Sequence, residues 1–141
     1  MIAGNWKFSH AGLIVRDTLK TIAHYKQLGF EVIRGPYDTP VESADNPRTS
    51  KVAWIKRDTM TFEVIQPLEG KWVNKEWLET VGEGVNHLCF TVDDIASERQ
   101  RMEAMGFPEV YGFTVGLGTF AYFDTRKSGN LMIELLQPPP A

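Results

Sequence analysis

The chain has 141 residues, 43% of them hydrophobic and 23% charged, with a formal net charge of −3. That is an ordinary globular composition, long enough for one domain with a proper core or for two small halves sharing one. It offers no basic stripe for nucleic acid and no apolar run near the roughly 18–20 residues that span a bilayer.

Its first residues lack a basic-then-apolar leader pattern. A single cysteine excludes an internal disulfide and suits a reducing compartment. A cytoplasmic protein is therefore expected.

Residues 7–16 alternate as a strand does, with Ala11, Leu13 and Val15 on one side and His10, Gly12 and Ile14 on the other. Asp17 is placed to cap a helix over 18–28, with Leu19, Ile22 and Tyr25 inward and Gly29 as its terminator. A short strand over 30–33 follows. Residues 35–49 contain Pro36, Pro40 and Pro47 and form a loop, either a lid or binding loop or a plain surface excursion. Strands over 51–57 and 59–66 meet at a tight turn on Asp58. Residues 67–75 connect to a short helix over 76–81, and Gly82-Glu83-Gly84 leads into a strand carrying His87 and Cys89 opposite Leu88, Phe90 and Val92. Asp93-Asp94 starts a helix over 95–105 with Ile95, Met102 and Met105 inward. Three strands, near 109–113, 119–124 and 131–136, complete the chain.

This plan is one module written twice. His10 and His87, Asp17 and Asp94, and Gly29-Phe30 and Gly106-Phe107 are all 77 residues apart. Glu63-Val64-Ile65-Gln66-Pro67 returns 71 residues later as Glu134-Leu135-Leu136-Gln137-Pro138, so the second copy is six residues shorter. The loop over 35–49 accounts for that difference. The organisation expected is a single domain over 1–141, with a first β-α-β-β-β module at 7–67 and a second at 84–138. Each copy supplies one His and one Glu.

In all four strands that carry these residues the flanking positions are apolar: Ala11 and Leu13, Phe62 and Val64, Leu88 and Phe90, Ile133 and Leu135. Those side chains can bury against the two helices, which turns His10, Glu63, His87 and Glu134 to the other face of the sheet. A strand glutamate between apolar neighbours is costly to bury unless it is paired or binds a metal. Two imidazoles and two carboxylates at matched positions point to one divalent ion, chosen among Ni, Co, Zn, Mn and Fe, in a site of zero net charge. His24 has Arg101 at its repeat-equivalent position and belongs on a helix surface. Cys89 shares a face with His87, either lining the pocket or acting as a small buried filler. Lys71, Lys75, Arg126 and Lys127 are expected as solvated charge.

The duplicated module, with one His and one Glu per copy, resembles the vicinal oxygen chelate superfamily, also called the glyoxalase/bleomycin-resistance/dioxygenase fold. The resemblance spans residues 7–137. Within it, Trp77-Leu78-Glu79-Thr80-Val81-Gly82-Glu83-Gly84-Val85-Asn86-His87 and the following Val92-Asp93-Asp94-Ile95 are most similar to methylmalonyl-CoA epimerases and glyoxalase-like relatives, as is Ile133-Glu134-Leu135-Leu136. The resemblance implies an α+β fold, a curled eight-stranded mixed sheet with helices on its outer face, in a homodimer. It places the metal ligands on His10, Glu63, His87 and Glu134. Two departures stand out: Asp124-Thr125-Arg126 occupies the place of a His-Pro-Lys segment, and the place of a second glutamate on the third strand falls on Ala53.

The expected activity is a metal-dependent isomerase or epimerase that moves a proton α to a carbonyl or thioester, methylmalonyl-CoA epimerase-like. Glu134 is the candidate base, with Glu63 the second catalytic carboxylate. A glyoxalase I-like lyase is the alternative enzyme, and a resistance-type binding module without catalysis is the alternative of another class. An oxygen-activating dioxygenase would use a site of two histidines and one carboxylate, and the ligand set here has a fourth member.

Overall fold

The computed structural model describes residues 4–39, 47–115 and 118–140. Eleven elements follow in chain order: β1 (Lys7–Ile14), α1 (Thr18–Gln27), β2 (Glu31–Asp38), β3 (Thr49–Arg57), β4 (Met60–Glu69), α2 (Val73–Thr80), β5 (Gly84–Thr91), α3 (Ile95–Ala104), β6 (Glu109–Val115), β7 (Gly118–Phe123) and β8 (Met132–Gln137). Their hydrogen-bonded strand order is β2-β3-β4-β1-β5-β8-β7-β6. The architecture is the expected α+β one, a mixed sheet of eight strands. Contacts divide the chain into a unit His10–Asn86 and a unit of Met1–Ser9 with His87–Ala141.

In the His10–Asn86 unit, β1 runs parallel to β4, while β3 is antiparallel to both β4 and β2. Leu13, Val15, Ala53, Ile55 and Val64 form a buried cluster with Ile22 of α1, and Tyr25, Phe30 and Phe62 pack against it. The helix therefore covers the face opposite His10. Its inward stripe is Thr18, Ile22 and Tyr25. Leu19 was expected on that stripe and is instead 58% exposed. The reason is local: Thr18 is wholly buried because its backbone N–H donates to Gln66 Oε1 at 3.0 Å and its hydroxyl to the Lys51 carbonyl at 3.0 Å. Fixing Thr18 inward turns Leu19, about 100° further around the helix, outward.

The second unit repeats the scheme. β5 is parallel to β8, and β7 is antiparallel to β8 and to β6. Val92, Ala121, Phe123 and Leu135 close over Ile95 and Met102 of α3, with Trp6, Phe90, Phe107 and Ile133 around them. Met105 was expected inward. It is 40% exposed because α3 ends one residue earlier and Met105 is its C-cap. Glu98 takes the third inward place at 4% exposure, its carboxylate accepting from Trp6 Nε1 at 3.1 Å and from Arg101 Nη1 at 2.5 Å.

Both helices start and stop as their sequences require. Asp17 Oδ1 accepts from the Lys20 N–H at 3.0 Å, and Asp94 Oδ1 accepts from the Ser97 N–H at 3.2 Å. The Ser97 hydroxyl and backbone bonds hold the Asp94 carboxyl below its ordinary value. Gly29 and Gly106 follow the C-caps at φ +88° and +84°, a left-handed conformation that glycine adopts without a Cβ clash. The repeated glutamine has a structural purpose too. Gln137 Oε1 accepts from the Ile95 N–H at 2.9 Å, as Gln66 does from Thr18, so each copy ties its helix N-terminus to the strand that carries its glutamate.

Other boundaries also differ from expectation. β2 extends to Asp38, so the first part of the expected loop over 35–49 is strand, paired with β3 through two register shifts. Residues 40–46, the centre of the expected loop, lie outside the described residues. β4 continues through Pro67 to Glu69, and α2 begins at Val73 rather than at residue 76. Pro67 needs no N–H in that ladder to pair with Ser50 on β3.

Candidate metal centre

Each unit builds a His-Glu pair by the same ladder. In the His10–Asn86 unit, parallel pairing sets Gly12 beside Glu63, and antiparallel pairing sets Trp54 on the other side of Glu63. His10 lies two residues before Gly12 and so shares its face. Its Nε2 stands 3.4 Å from Glu63 Oε1. The Trp54 ring meets the imidazole edge-on, centroids 4.7 Å apart, and its Nε1 donates to the Tyr37 hydroxyl at 3.0 Å.

In the other unit, Cys89 lies beside Glu134, and Tyr122 lies on its far side. His87 lies two residues before Cys89, and its Nε2 stands 3.2 Å from Glu134 Oε2. The Tyr122 hydroxyl is 3.3 Å from the same nitrogen, with the two ring centroids 4.6 Å apart. Gly12 and Cys89 are thus the equivalent neighbours of the two glutamates, and Cys89 is a fully buried thiol.

Burial gives these pairs their chemical weight. His10 is 3% exposed, His87 0% and Glu134 7%, while the Glu63 side chain retains 18%. A carboxylate with so little water around it needs a cationic partner or charge-bearing hydrogen bonds. Each pair supplies one imidazole nitrogen and one carboxylate oxygen, the borderline donors that a divalent first-row ion accepts.

Several residues of this region are not singled out by their sequence context. Trp54 and Tyr122 flank His10 and His87, and strand parity alone would have found Trp54, one residue from Ala53. Ala53 itself does not face His10 and Glu63. It is wholly buried in the cluster with Leu13 and Val64, because its neighbour Trp54 takes the His10 face and successive strand residues alternate. Asn86, the residue before His87, donates from Nδ2 to Asn74 Oδ1 at 2.8 Å, both side chains wholly buried. That bond fastens α2 to the start of β5.

The expected surface charges are accounted for. Arg126 grips Asp124 through Nε at 2.8 Å and Nη2 at 2.9 Å, and this pairing holds the Asp124 carboxyl at about 2. Lys75 Nζ donates to the Leu68 carbonyl at 3.1 Å. Lys71 and Lys127 are exposed, as is His24 on α1, whose ring packs on Tyr25.

Among described residues, no helix is long and apolar enough to cross a membrane. Among curated proteins, no sequence matches this chain. In solved structures the fold recurs widely. Methylmalonyl-CoA epimerase from Mycobacterium tuberculosis superposes with a TM-score of 0.72 at 20% identity, over 99% of this chain and 94% of that one. A hypothetical protein from Bacillus halodurans gives 0.73 at 15% identity, over 97% of both chains. A Streptomyces coelicolor methylmalonyl-CoA epimerase variant in complex with 2-nitronate-propionyl-CoA gives 0.65 at 17%, over 95% and 98%. At such identities the likeness is one of fold. The family model described as Glyoxalase/Bleomycin resistance protein/Dioxygenase superfamily matches residues 9–123. With most of its length matched and its strands in this order, the chain belongs to that superfamily.

Proposed function

We propose that His10, Glu63, His87 and Glu134 together hold one divalent ion, and that the protein is an isomerase or epimerase moving a proton α to a carbonyl. The observation that carries this reading is the donor set. Each unit brings one imidazole nitrogen and one carboxylate oxygen together, at 3.4 Å for His10 and Glu63 and 3.2 Å for His87 and Glu134. Two neutral imidazoles and two carboxylates balance a divalent charge and suit Ni, Co, Zn, Mn or Fe.

A bound ion would supply Lewis-acid polarisation of a carbonyl or thioester oxygen and so acidify the neighbouring C–H. The protein's own groups do the rest. Glu134, held against His87 and nearly excluded from water, is the carboxylate assigned to take the proton. Glu63, the more exposed of the two, is assigned to take up a proton from water and return it to the carbon. Inverting a carbon requires a proton to leave one face and return to the other, and two carboxylates can serve the two faces, which supports a methylmalonyl-CoA epimerase-like reaction. Solved relatives of this fold include a methylmalonyl-CoA epimerase in complex with methylmalonyl-CoA.

The test is solvent exchange. Ion-loaded protein in heavy water should place deuterium on the α-carbon of methylmalonyl-CoA, read by mass spectrometry, and Glu134→Gln should abolish it. Protein that binds the ion but exchanges no α-proton on methylmalonyl-CoA contradicts the epimerase assignment. Turnover of a hemithioacetal instead would move the reading to a glyoxalase I-like lyase.

A further inference from the structure

Tyr122 is a buried phenol at the His87–Glu134 pair, and the repeat does not require it. It lies directly across the β7–β8 ladder from Glu134, as Trp54 lies across the β3–β4 ladder from Glu63. The first copy therefore accommodates an indole at the equivalent place. That indole carries no hydroxyl and gives its one N–H to Tyr37 at 3.0 Å. In the second copy the phenol oxygen instead stands 3.3 Å from His87 Nε2, the same nitrogen that lies 3.2 Å from Glu134 Oε2. Tyr122 is 4% exposed, so its O–H acts in a poorly hydrated setting where a hydrogen bond to developing charge is strong.

We propose that Tyr122 is a further substrate-binding residue, whose hydroxyl donates to the oxygen of a carbonyl-bearing ligand brought to the His87 and Glu134 donor atoms. The inference rests on the four-residue ion site proposed above. Glu134 Oε2 and the Tyr122 hydroxyl both flank one imidazole nitrogen, His87 Nε2. A ligand oxygen on an ion held by His87 and Glu134 would therefore come near the hydroxyl, the one neutral donor of the three groups. As an α-proton leaves, negative charge grows on that oxygen, and a neutral donor already in place strengthens its bond without reorganisation. The carboxylate moves the proton and the phenol holds the oxygen. The His10–Glu63 pair, walled by Trp54, has no such donor from its third residue, so the two halves of the repeat differ in chemistry.

The experiment compares wild type with Tyr122→Phe, which keeps the ring and removes only the hydroxyl. Calorimetry with nickel chloride is followed by calorimetry of the nickel-loaded protein with oxalate, a two-oxygen ligand. Nickel affinity is expected to stay within roughly threefold, because the phenol is not one of the four donors, while oxalate affinity falls about tenfold for the lost charge-assisted bond. Equal oxalate affinity in both proteins, with nickel bound normally, overturns this inference and leaves the ion site standing. A wild type that binds no nickel overturns the ion site and this inference with it. In turnover, Tyr122→Phe should lower kcat more than it raises KM.

Discussion

The repeated glutamines make a prediction that can be followed from atoms to a melting temperature. Gln66 and Gln137 sit three residues after Glu63 and Glu134 and accept the first free N–H of a helix, at 3.0 Å from Thr18 and 2.9 Å from Ile95. Thr18 is 0% and Ile95 5% exposed, so water has little room to replace the lost acceptor after Gln→Ala. An orphaned helix-terminal donor costs about 1–2 kcal/mol. At roughly 2.1 cal/mol/K per residue, the 141-residue chain unfolds with an entropy of about 0.3 kcal/mol/K. Each alanine variant should therefore melt about 3–7 °C below wild type in calorimetry. Gln66→Glu keeps the acceptor and adds negative charge at a helix N-terminus, so it should melt near wild type. Alanine variants melting within about 1 °C of wild type would refute the capping role and the structural reason offered for the repeat.

Three further outcomes follow from the same structure. Met102→Ala opens a cavity under α3, where Met102 is 2% exposed, and should cost about 2–5 kcal/mol by denaturant unfolding. Glu98→Ala removes the acceptor of both Trp6 Nε1 and Arg101, and a loss of roughly 2–3 kcal/mol is expected, with Glu98→Gln costing less because it still accepts from Trp6. Asp124 has its folded pKa lowered from 3.8 to about 2 by Arg126. Its contribution is thus complete above the unfolded value and lost as pH falls from about 4 to about 2. Asp124→Asn should be less stable than wild type near neutrality, by about 1 kcal/mol after solvent screening, and the gap should close across that acid window in pH-dependent unfolding.

Strand parity and the two-copy repeat made most of this fold legible, because apolar neighbours on one face force the opposite face onto His10, Glu63, His87 and Glu134. Capping aspartates and terminal glycines set the helix ends for the same local reason. What failed was set by partners distant in sequence. Thr18 displaced Leu19 from the α1 stripe because Gln66 and Lys51 hold it, and Glu98 went inward because Trp6 and Arg101 satisfy its charge. Ala53 is one residue off the face that carries His10 and Glu63, and only the pairing of Trp54 with Glu63 fixes that register. Tyr122 was hidden because its role depends on which residue of β7 stands across from Glu134, a register that hydrophobic alternation alone does not number.

The most direct measurement is metal content by mass spectrometry, on wild-type protein and on Glu134→Gln, after exposure to Ni, Co or Zn. The four-donor site predicts about one divalent ion per wild-type chain, and loss or marked weakening in the variant. Protein that takes up no ion under any of these conditions, or a variant that binds as well as wild type, would contradict it.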